Sequence, residues 1–205
     1  MKTKILLTSC LIIFMNLIFY LAVAQPASSW VKHFNGTSSM SDKAIAMAID
    51  NGCFTYVTGQ SDKLGTGANY LTIKYDKDGN TVWTAEYDGA DHMDDIPTSI
   101  KVDANGNVYV TGKSASANNG FDFLTVKYNS AGIQQWALRL NSTSNYDDIA
   151  NDLSIDVNGN VYVCGNQGAG SALIKYSASG TQTWLKKIEN LGDWCTKFKK
   201  VVIAN

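Results

Sequence analysis

The residues in this sequence whose type and spacing could do chemistry are acidic pairs. Asp94-Asp95 and Asp147-Asp148 stand 53 residues apart. Paired carboxylates can hold a hard cation, or accept from a basic or polyhydroxyl ligand. They also have a structural use, because an aspartate accepts backbone N–H groups and orders its loop. Recurrence makes the loop-ordering use the stronger reading, since repeated residues usually serve the repeat. An earlier copy keeps only Asp42, followed by Lys43, and a later one has Cys195-Thr196 in that place. His33 and His92 are the only histidines, and His92 beside Asp91 and Asp94 is the best candidate for catalysis. Asp76-Lys77-Asp78-Gly79-Asn80 has the acids of a calcium loop, but its glycine is misplaced and no Glu closes the twelve residues. It reads as a hairpin turn. No HExxH, CxxC, GxSxG or P-loop pattern occurs. The sequence therefore assigns no catalytic residue, no metal ligand set and no cofactor.

Two further observations bound the partners. Met1 to Ala24 has a basic start, an apolar run and a closing Ala22-Val23-Ala24, the three-part design of a secretory signal cleaved before Gln25. Cleavage leaves no membrane insertion, against the alternative of an uncleaved anchor. It also removes two lysines and no acids, leaving 15 basic and 18 acidic residues. That balance gives no reason to expect nucleic acid or anionic lipid. Cys53, Cys164 and Cys195 sit at unrelated phases, so no spacing argues for a disulfide despite the oxidising compartment. Asn35-Gly36-Thr37 and Asn141-Ser142-Thr143 are glycosylation sequons by rule.

The candidate residues are positioned by a repeat. Asp103-Ala104-Asn105-Gly106-Asn107-Val108-Tyr109-Val110-Thr111-Gly112 returns as Asp156 to Gly165, and a worn copy runs from Asp50 to Gly59. Tyr56, Tyr109 and Tyr162 keep a step of 53, as do Gly59, Gly112 and Gly165. Trp30, Trp83, Trp136 and Trp184 are separated by 53, 53 and 48 residues. The third copy's five-residue deficit lies between Gly165 and Lys175, in what reads as one loop. Such a period marks a repeat architecture.

Each period reads as four short strands, in the second copy Ile96–Asp103, Asn107–Thr111, Phe123–Tyr128 and Ile133–Leu140. Val108-Tyr109-Val110 is apolar on both faces, which suits a sheet covered on both sides. No 3.6-residue apolar period survives beyond the signal, which excludes helix. Asp103-Ala104-Asn105-Gly106 and Asn129-Ser130-Ala131-Gly132 are tight hairpins. Lys113–Asp122 and Asn141–Asp148 are the long connections. In an up-and-down sheet alternate connections leave from the same edge, so short turns share one face and long loops the other. Long loops on a rigid scaffold are where binding usually sits. The repeated tryptophan reads as a staple between sheets, its burial contributing on the order of 2–3 kcal/mol. Lys74, Lys127 and Lys175 snorkel along the sheet or pair with an acid.

The fold class expected is all-β, a β-propeller of four-stranded antiparallel blades. The motifs G-N-V-Y-V-T-G, then F-L-T-V-K-Y-N, then G-x-x-x-W resemble the bacterial β-propeller repeat family known as the SBBP repeat. The resemblance covers Trp30 to Asn205 and implies an exported bacterial protein forming a secreted or surface scaffold. The first copy departs from the pattern: Gly52-Cys53-Phe54 replaces Gly106-Asn107-Val108, which predicts a bulge or another turn type.

The domains expected are a signal over 1–24 and propeller repeats over 25–205. The repeats comprise a lone outer strand at 30–34, blades at roughly 42–88, 94–140 and 147–188, and a partial blade at 193–205. This incompleteness, three full blades plus partial blades at each end, predicts a truncated piece of a longer propeller. The function expected is a non-enzymatic scaffold, secreted or on the cell surface, that binds protein or glycan through its long-loop face. Asp94, Asp95, Asp147 and Asp148 would be its polar contacts, with Tyr146 and Phe121 its aromatic ones. The competing reading is a propeller-type glycan hydrolase or lyase with its active site near the central channel, for which His92 with Asp91 is the only hint. A third is a purely structural surface repeat.

Overall fold

The computed structural model describes residues 30–36, 40–117, 120–141, 146–188 and 198–203. The expected signal, Cys195 and residues 193–197 lie outside them. Among the described residues, twelve strands form three four-stranded antiparallel sheets. Blade 1 holds β1 (Asp42–Ile49), β2 (Thr55–Lys63), β3 (Gly67–Tyr75) and β4 (Thr81–Tyr87). Blade 2 holds β5 (Asp95–Val102), β6 (Val108–Ser116), β7 (Gly120–Tyr128) and β8 (Gln134–Leu140). Blade 3 holds β9 (Ile149–Ile155), β10 (Val161–Gln167), β11 (Gly170–Tyr176) and β12 (Gln182–Ile188). Within each sheet the strands lie in chain order, so every connection is a hairpin. Among the described residues there is no helix, and so none long and apolar enough to cross a membrane.

The three sheets stack as an open array of propeller blades, with β5 packed on β1, β2 and β3, and β9 on β5, β6 and β7. Hydrophobic burial is therefore between blades. One core joins Tyr56, Tyr70 and Trp83 of blade 1 to Ile100, Val110, Val126 and Tyr128 of blade 2. The other joins Tyr109, Phe123 and Trp136 of blade 2 to Leu153, Val163, Ile174 and Tyr176 of blade 3. A strand apolar on both faces is what a sheet needs when each face meets a neighbour.

The repeated residues each have an identifiable task. Asp103 Oδ1 accepts from the N–H groups of Asn105 and Asn107, and its Oδ2 from Asn107 Nδ2 and Tyr109 OH. Asp156 does the same for Asn158, Asn160 and Tyr162. Each aspartate thus closes its turn and ties it to the next strand. Tyr109, Lys127 and Trp136 are paired across β6, β7 and β8, so they form one row on one face. In that row Lys127 Nζ sits 5.1 Å from the Tyr109 ring, and Lys74 and Lys175 lie at the same distance from Tyr56 and Tyr162. A cation over an aromatic face adds electrostatic attraction to the packing of the stem.

The strand glycine marks a bulge in the neighbouring inner strand. Pairing skips Thr98 between Pro97 and Ser99, and a Cβ on Gly112 would lie 2.2 Å from Ile96 O. The same skip leaves Ile45 unpaired opposite Gly59 and Asn151 opposite Gly165. The bulge turns its extra side chain toward the next blade: Thr98 Oγ1 donates to Ala150 O at 2.6 Å, and Asn151 Nδ2 to Phe198 O at 2.7 Å. Re-aiming a side chain is a common use of a bulge.

Several expectations are corrected. Lys113–Asp122 is not a long loop, because β6 and β7 carry the ladder to Ser116 and Gly120 with three residues between them. The polar Ser114-Ala115-Ser116 stretch has little strand propensity, but it is held in register by Asp122, Phe121 and Gly120 opposite. The third copy's deletion accordingly shortens a hairpin: β10 and β11 have 7 residues each where β6 and β7 have 9. The first copy's turn is the ordinary one, since Cys53 N donates to Asp50 O as Gly106 N does to Asp103 O. Cys53 simply adopts the left-handed conformation, φ 62°, where its counterparts are glycine. Neither flanking piece forms a strand, as residues 30–36 and 198–203 have no regular secondary structure. Phe198 O nevertheless accepts from Asn151 as Ala150 O does from Thr98, so this segment lines blade 3 along the path of an inner strand.

Candidate functional site

The inter-blade loops and the ends of the β2–β3 and β6–β7 hairpins gather on one face, opposite the tight turns. There a depression of about 520 Å³ is lined by Gly67, His92, Met93, Asp94, Ala115, Ser116, Gly120, Phe121 and Asp147. It brings together three of the expected contacts, Asp94, Asp147 and Phe121. Tyr146 is 65 % exposed beside Asp147 in the chain and does not line the depression. Asp95 and Asp148 are buried and face away from solvent.

Each aspartate has a definite structural partner. Asp94 Oδ1 accepts from Ala68 N at 3.0 Å, and Asp147 Oδ1 from Phe121 N at 3.1 Å. Both acids precede the inner strand of one blade and cap the third strand of the blade before it. Gly67 and Gly120 give them room, since a Cβ there would lie 2.5 Å from Asp94 Oδ1 and 2.8 Å from Asp147 Oδ1. Buried Asp95 accepts from Gly89 N at 2.6 Å, as Asp42 does from Gly36 N at 2.7 Å, and Asp148 accepts from Gly168 N at 2.7 Å. Loop ordering is thus the primary work of all four acids. Among the described residues no group of three or more His, Cys, Asp or Glu is placed to hold a metal ion.

The histidine constellation differs from expectation. His92 Nδ1 lies 2.7 Å from Asp88 Oδ2, not on Asp91. Asp91 instead faces Arg139 Nη1 at 3.4 Å, and Arg139 Nε donates to Asp122 Oδ2 at 2.7 Å. Burial pushes the carboxyls of Asp95 and Asp122 above the ordinary aspartate range, the latter against the opposing pull of Arg139. Asp91 is thus paired with Arg139 rather than with His92.

Three features of this face escaped the sequence reading. Lys113 Nζ sits 3.8 Å from the centre of the Phe121 ring. Met93 is 41 % exposed at the rim of the depression. Arg139 ties β8 to the loop entering blade 2. Its signal was present in the sequence: it is the single arginine, and Glu86 stands 53 residues before it. Glu86 accepts from Asn69 Nδ2, at the phase of Asp122, and from Lys63 Nζ, so the position keeps its cross-strand partner while the charge it carries is reversed.

Comparison with known proteins agrees with this architecture. A family model for the beta-propeller repeat (SBBP) matches residues 87–121 and 135–166. The matched residues make up about a third of the chain. Each match begins in the outer strand of one blade, crosses the inter-blade loop and covers the inner two strands of the next. The matched unit therefore contains the aspartate pair and the strand glycine with its bulge, the features that join blades. No match was found among curated proteins.

Proposed function

We propose that this chain is an exported, non-enzymatic beta-propeller-repeat scaffold that binds a protein or glycan ligand on its long-loop face. The observation that carries the reading is the depression bounded by His92, Met93, Asp94, Phe121 and Asp147, the place where loops of two blades present aromatic, apolar and acidic groups together. One oxygen of Asp94 and one of Asp147 order the scaffold, and the second oxygen of each is left to accept from a ligand. Phe121 and Met93 supply apolar contact. Export is supported by the signal-like residues 1–24, and N-terminal sequencing of protein recovered outside the cell would find Gln25 first.

Glycan and protein arrays probed with the purified protein test the binding role. The expected result is a ligand whose binding falls at least tenfold in Met93→Ala and Phe121→Ala, both chosen because neither side chain belongs to an inter-blade core. Absence of any ligand above background, or a ligand held equally by both variants, would leave the chain a purely structural repeat.

A further inference from the structure

The layer between blades 1 and 2 carries polar groups that its packing does not require. Asp95, Ser114 and Asp122 are paired across β5, β6 and β7, so they form one row, on the face of blade 2 that meets blade 1. All three are buried. Blade 1 answers this row with Tyr70, itself fully buried, whose hydroxyl enters over Gly112, 2.5 Å from where a Cβ would stand. Tyr70 OH, Asp95 Oδ1 and Ser114 Oγ each lack a hydrogen-bond partner among the described residues. Ser114 Oγ lies beside the Asp95 carboxyl and partly offsets the effect of burial on it, yet no aligned hydrogen bond joins the two. Burying such groups without a partner is costly, and in folded proteins nearly all of them are hydrogen-bonded.

The repeat supplies the comparison. Phe123 stands in blade 2 at the phase of Tyr70 and is equally buried, in the core shared with blade 3. A phenyl ring therefore satisfies the packing at this position, and the Tyr70 hydroxyl is an addition made at the joint of blades 1 and 2. Burial and the charge of Asp95 hold that hydroxyl well above the ordinary tyrosine range, so it remains a donor. Asp95 Oδ2 accepts from Gly89 N, which leaves Oδ1 to accept from another group. What fits is a small molecule that accepts from Tyr70 and donates to Asp95, with the Ser114 hydroxyl able to serve it either way. A cation fits poorly, because Arg139 already places its charge on this row, Nε on Asp122 and Nη2 on Ser114 O. We propose that the joint between blades 1 and 2 binds a buried water, which accepts from the Tyr70 hydroxyl, donates to Asp95 Oδ1 and takes Ser114 Oγ as its third partner. About three partners is the usual complement of a water held inside a protein. The water links the blades where each presents polar atoms that do not reach the other directly.

Crystallography at a resolution that shows ordered solvent, on the native protein and on Tyr70→Phe, tests this. The expected result is a water oxygen within about 3.2 Å of both Tyr70 OH and Asp95 Oδ1 in the native protein, lost in the variant. Tyr70→Phe should fold, because Phe123 is the native residue at the same phase of the next blade. Magnetic relaxation dispersion in solution should count one fewer long-lived water in Tyr70→Phe. Ser114→Ala removes the third partner and should shorten the residence time of that water, which keeps the test open if Tyr70→Phe does not fold. A direct hydrogen bond between Tyr70 OH and Asp95 overturns the proposal, as does a water count and residence time unchanged in both folded variants. A cation in that place, revealed by anomalous scattering after sodium is exchanged for rubidium, overturns it as well.

Discussion

At the scale of single residues, the repeat shows what each position is for by the cost of departing from it. Cys53 holds φ 62° in a turn where Gly106 and Gly159 hold φ 77°. A left-handed conformation costs a non-glycine residue about 1–2 kcal/mol, and the extra freedom of glycine in the unfolded chain takes back about 0.5–1 kcal/mol. Cys53→Gly should therefore raise stability by roughly 0.5–1 kcal/mol, read as a higher urea midpoint with an unchanged slope. A lower midpoint would contradict the turn assignment. Cys164 is the opposite case: buried at the position of Thr58 and Thr111, its thiol is pushed up to about 11 by desolvation. It pairs across the strands with Leu173 where Thr111 pairs with Thr125, so a hydroxyl pair has been exchanged for a thiol and an apolar side chain.

Asp95 carries a pH dependence of calculable sign. Its carboxyl is buried beneath Gly89 and beside Ser114, with Asp88, Arg139, Tyr70 and Tyr87 around it, and burial holds its folded pKa above the unfolded value. The folded state then binds the proton more tightly than the unfolded chain does, so ionisation disfavours folding. Stability should rise as pH falls through the raised folded value toward the unfolded value near 4. Asp76 and Asp156 act in the opposite sense. Asn80 holds the first below its usual range, and Asn160, Asn158 and Tyr162 hold the second there against a burial contribution that opposes them. Their contribution is lost at still lower pH. Chemical denaturation of Asp95→Asn against pH should show a smaller rise above pH ~4 than the native protein does. Identical profiles would show that Asp95 is not the group responsible.

At the scale of elements, the bulge and its glycine are the joint of each blade. A methyl on Gly112 would meet the backbone at Ile96 O and Pro97 Cα, and the hydroxyl of Tyr70 from blade 1. No rotamer relieves a backbone clash, so Gly112→Ala should destabilise by about 3 kcal/mol or more, beyond an ordinary surface substitution. A loss under about 1 kcal/mol in thermal or urea unfolding would mean the bulge can slide. The four-strand period was legible in the sequence because strand residues, turn aspartates and glycines repeat at fixed phase. The outer half of the β6–β7 hairpin was not, because Ser114-Ala115-Ser116 lacks strand propensity and is placed by cross-strand register and by Arg139. The bulge was equally hidden, since pairing registers leave no mark on a single strand's composition. At the candidate site the acids were legible as residues, and loop ordering was the stronger reading. Their partners, backbone amides of the preceding blade, became visible only in the structure. His92 with Asp91, the hint for the competing reading, is not a pair, because proximity in the chain does not decide which nearby aspartate a side chain faces.

At the scale of the whole molecule, each core cluster among the described residues spans two blades. Burial lies between sheets, so the blades stabilise one another through nearest-neighbour contacts, as repeat proteins generally do. The staples are correspondingly inter-blade: Trp83 on Gly132, Thr98 on Ala150 O, Asp94 on Ala68 N and Asp147 on Phe121 N. The recurring aspartates serve first to join blades, Asp94 through Ala68 N and Asp147 through Phe121 N. Amide hydrogen exchange measured residue by residue tests it most directly. The Ala68 and Phe121 amides should exchange slowly in the native protein, and Asp94→Ala should accelerate Ala68 about tenfold, the equivalent of a lost hydrogen bond of about 1.4 kcal/mol, while leaving Phe121 unchanged. Unprotected amides in the native protein, or Ala68 exchange indifferent to Asp94→Ala, would contradict it.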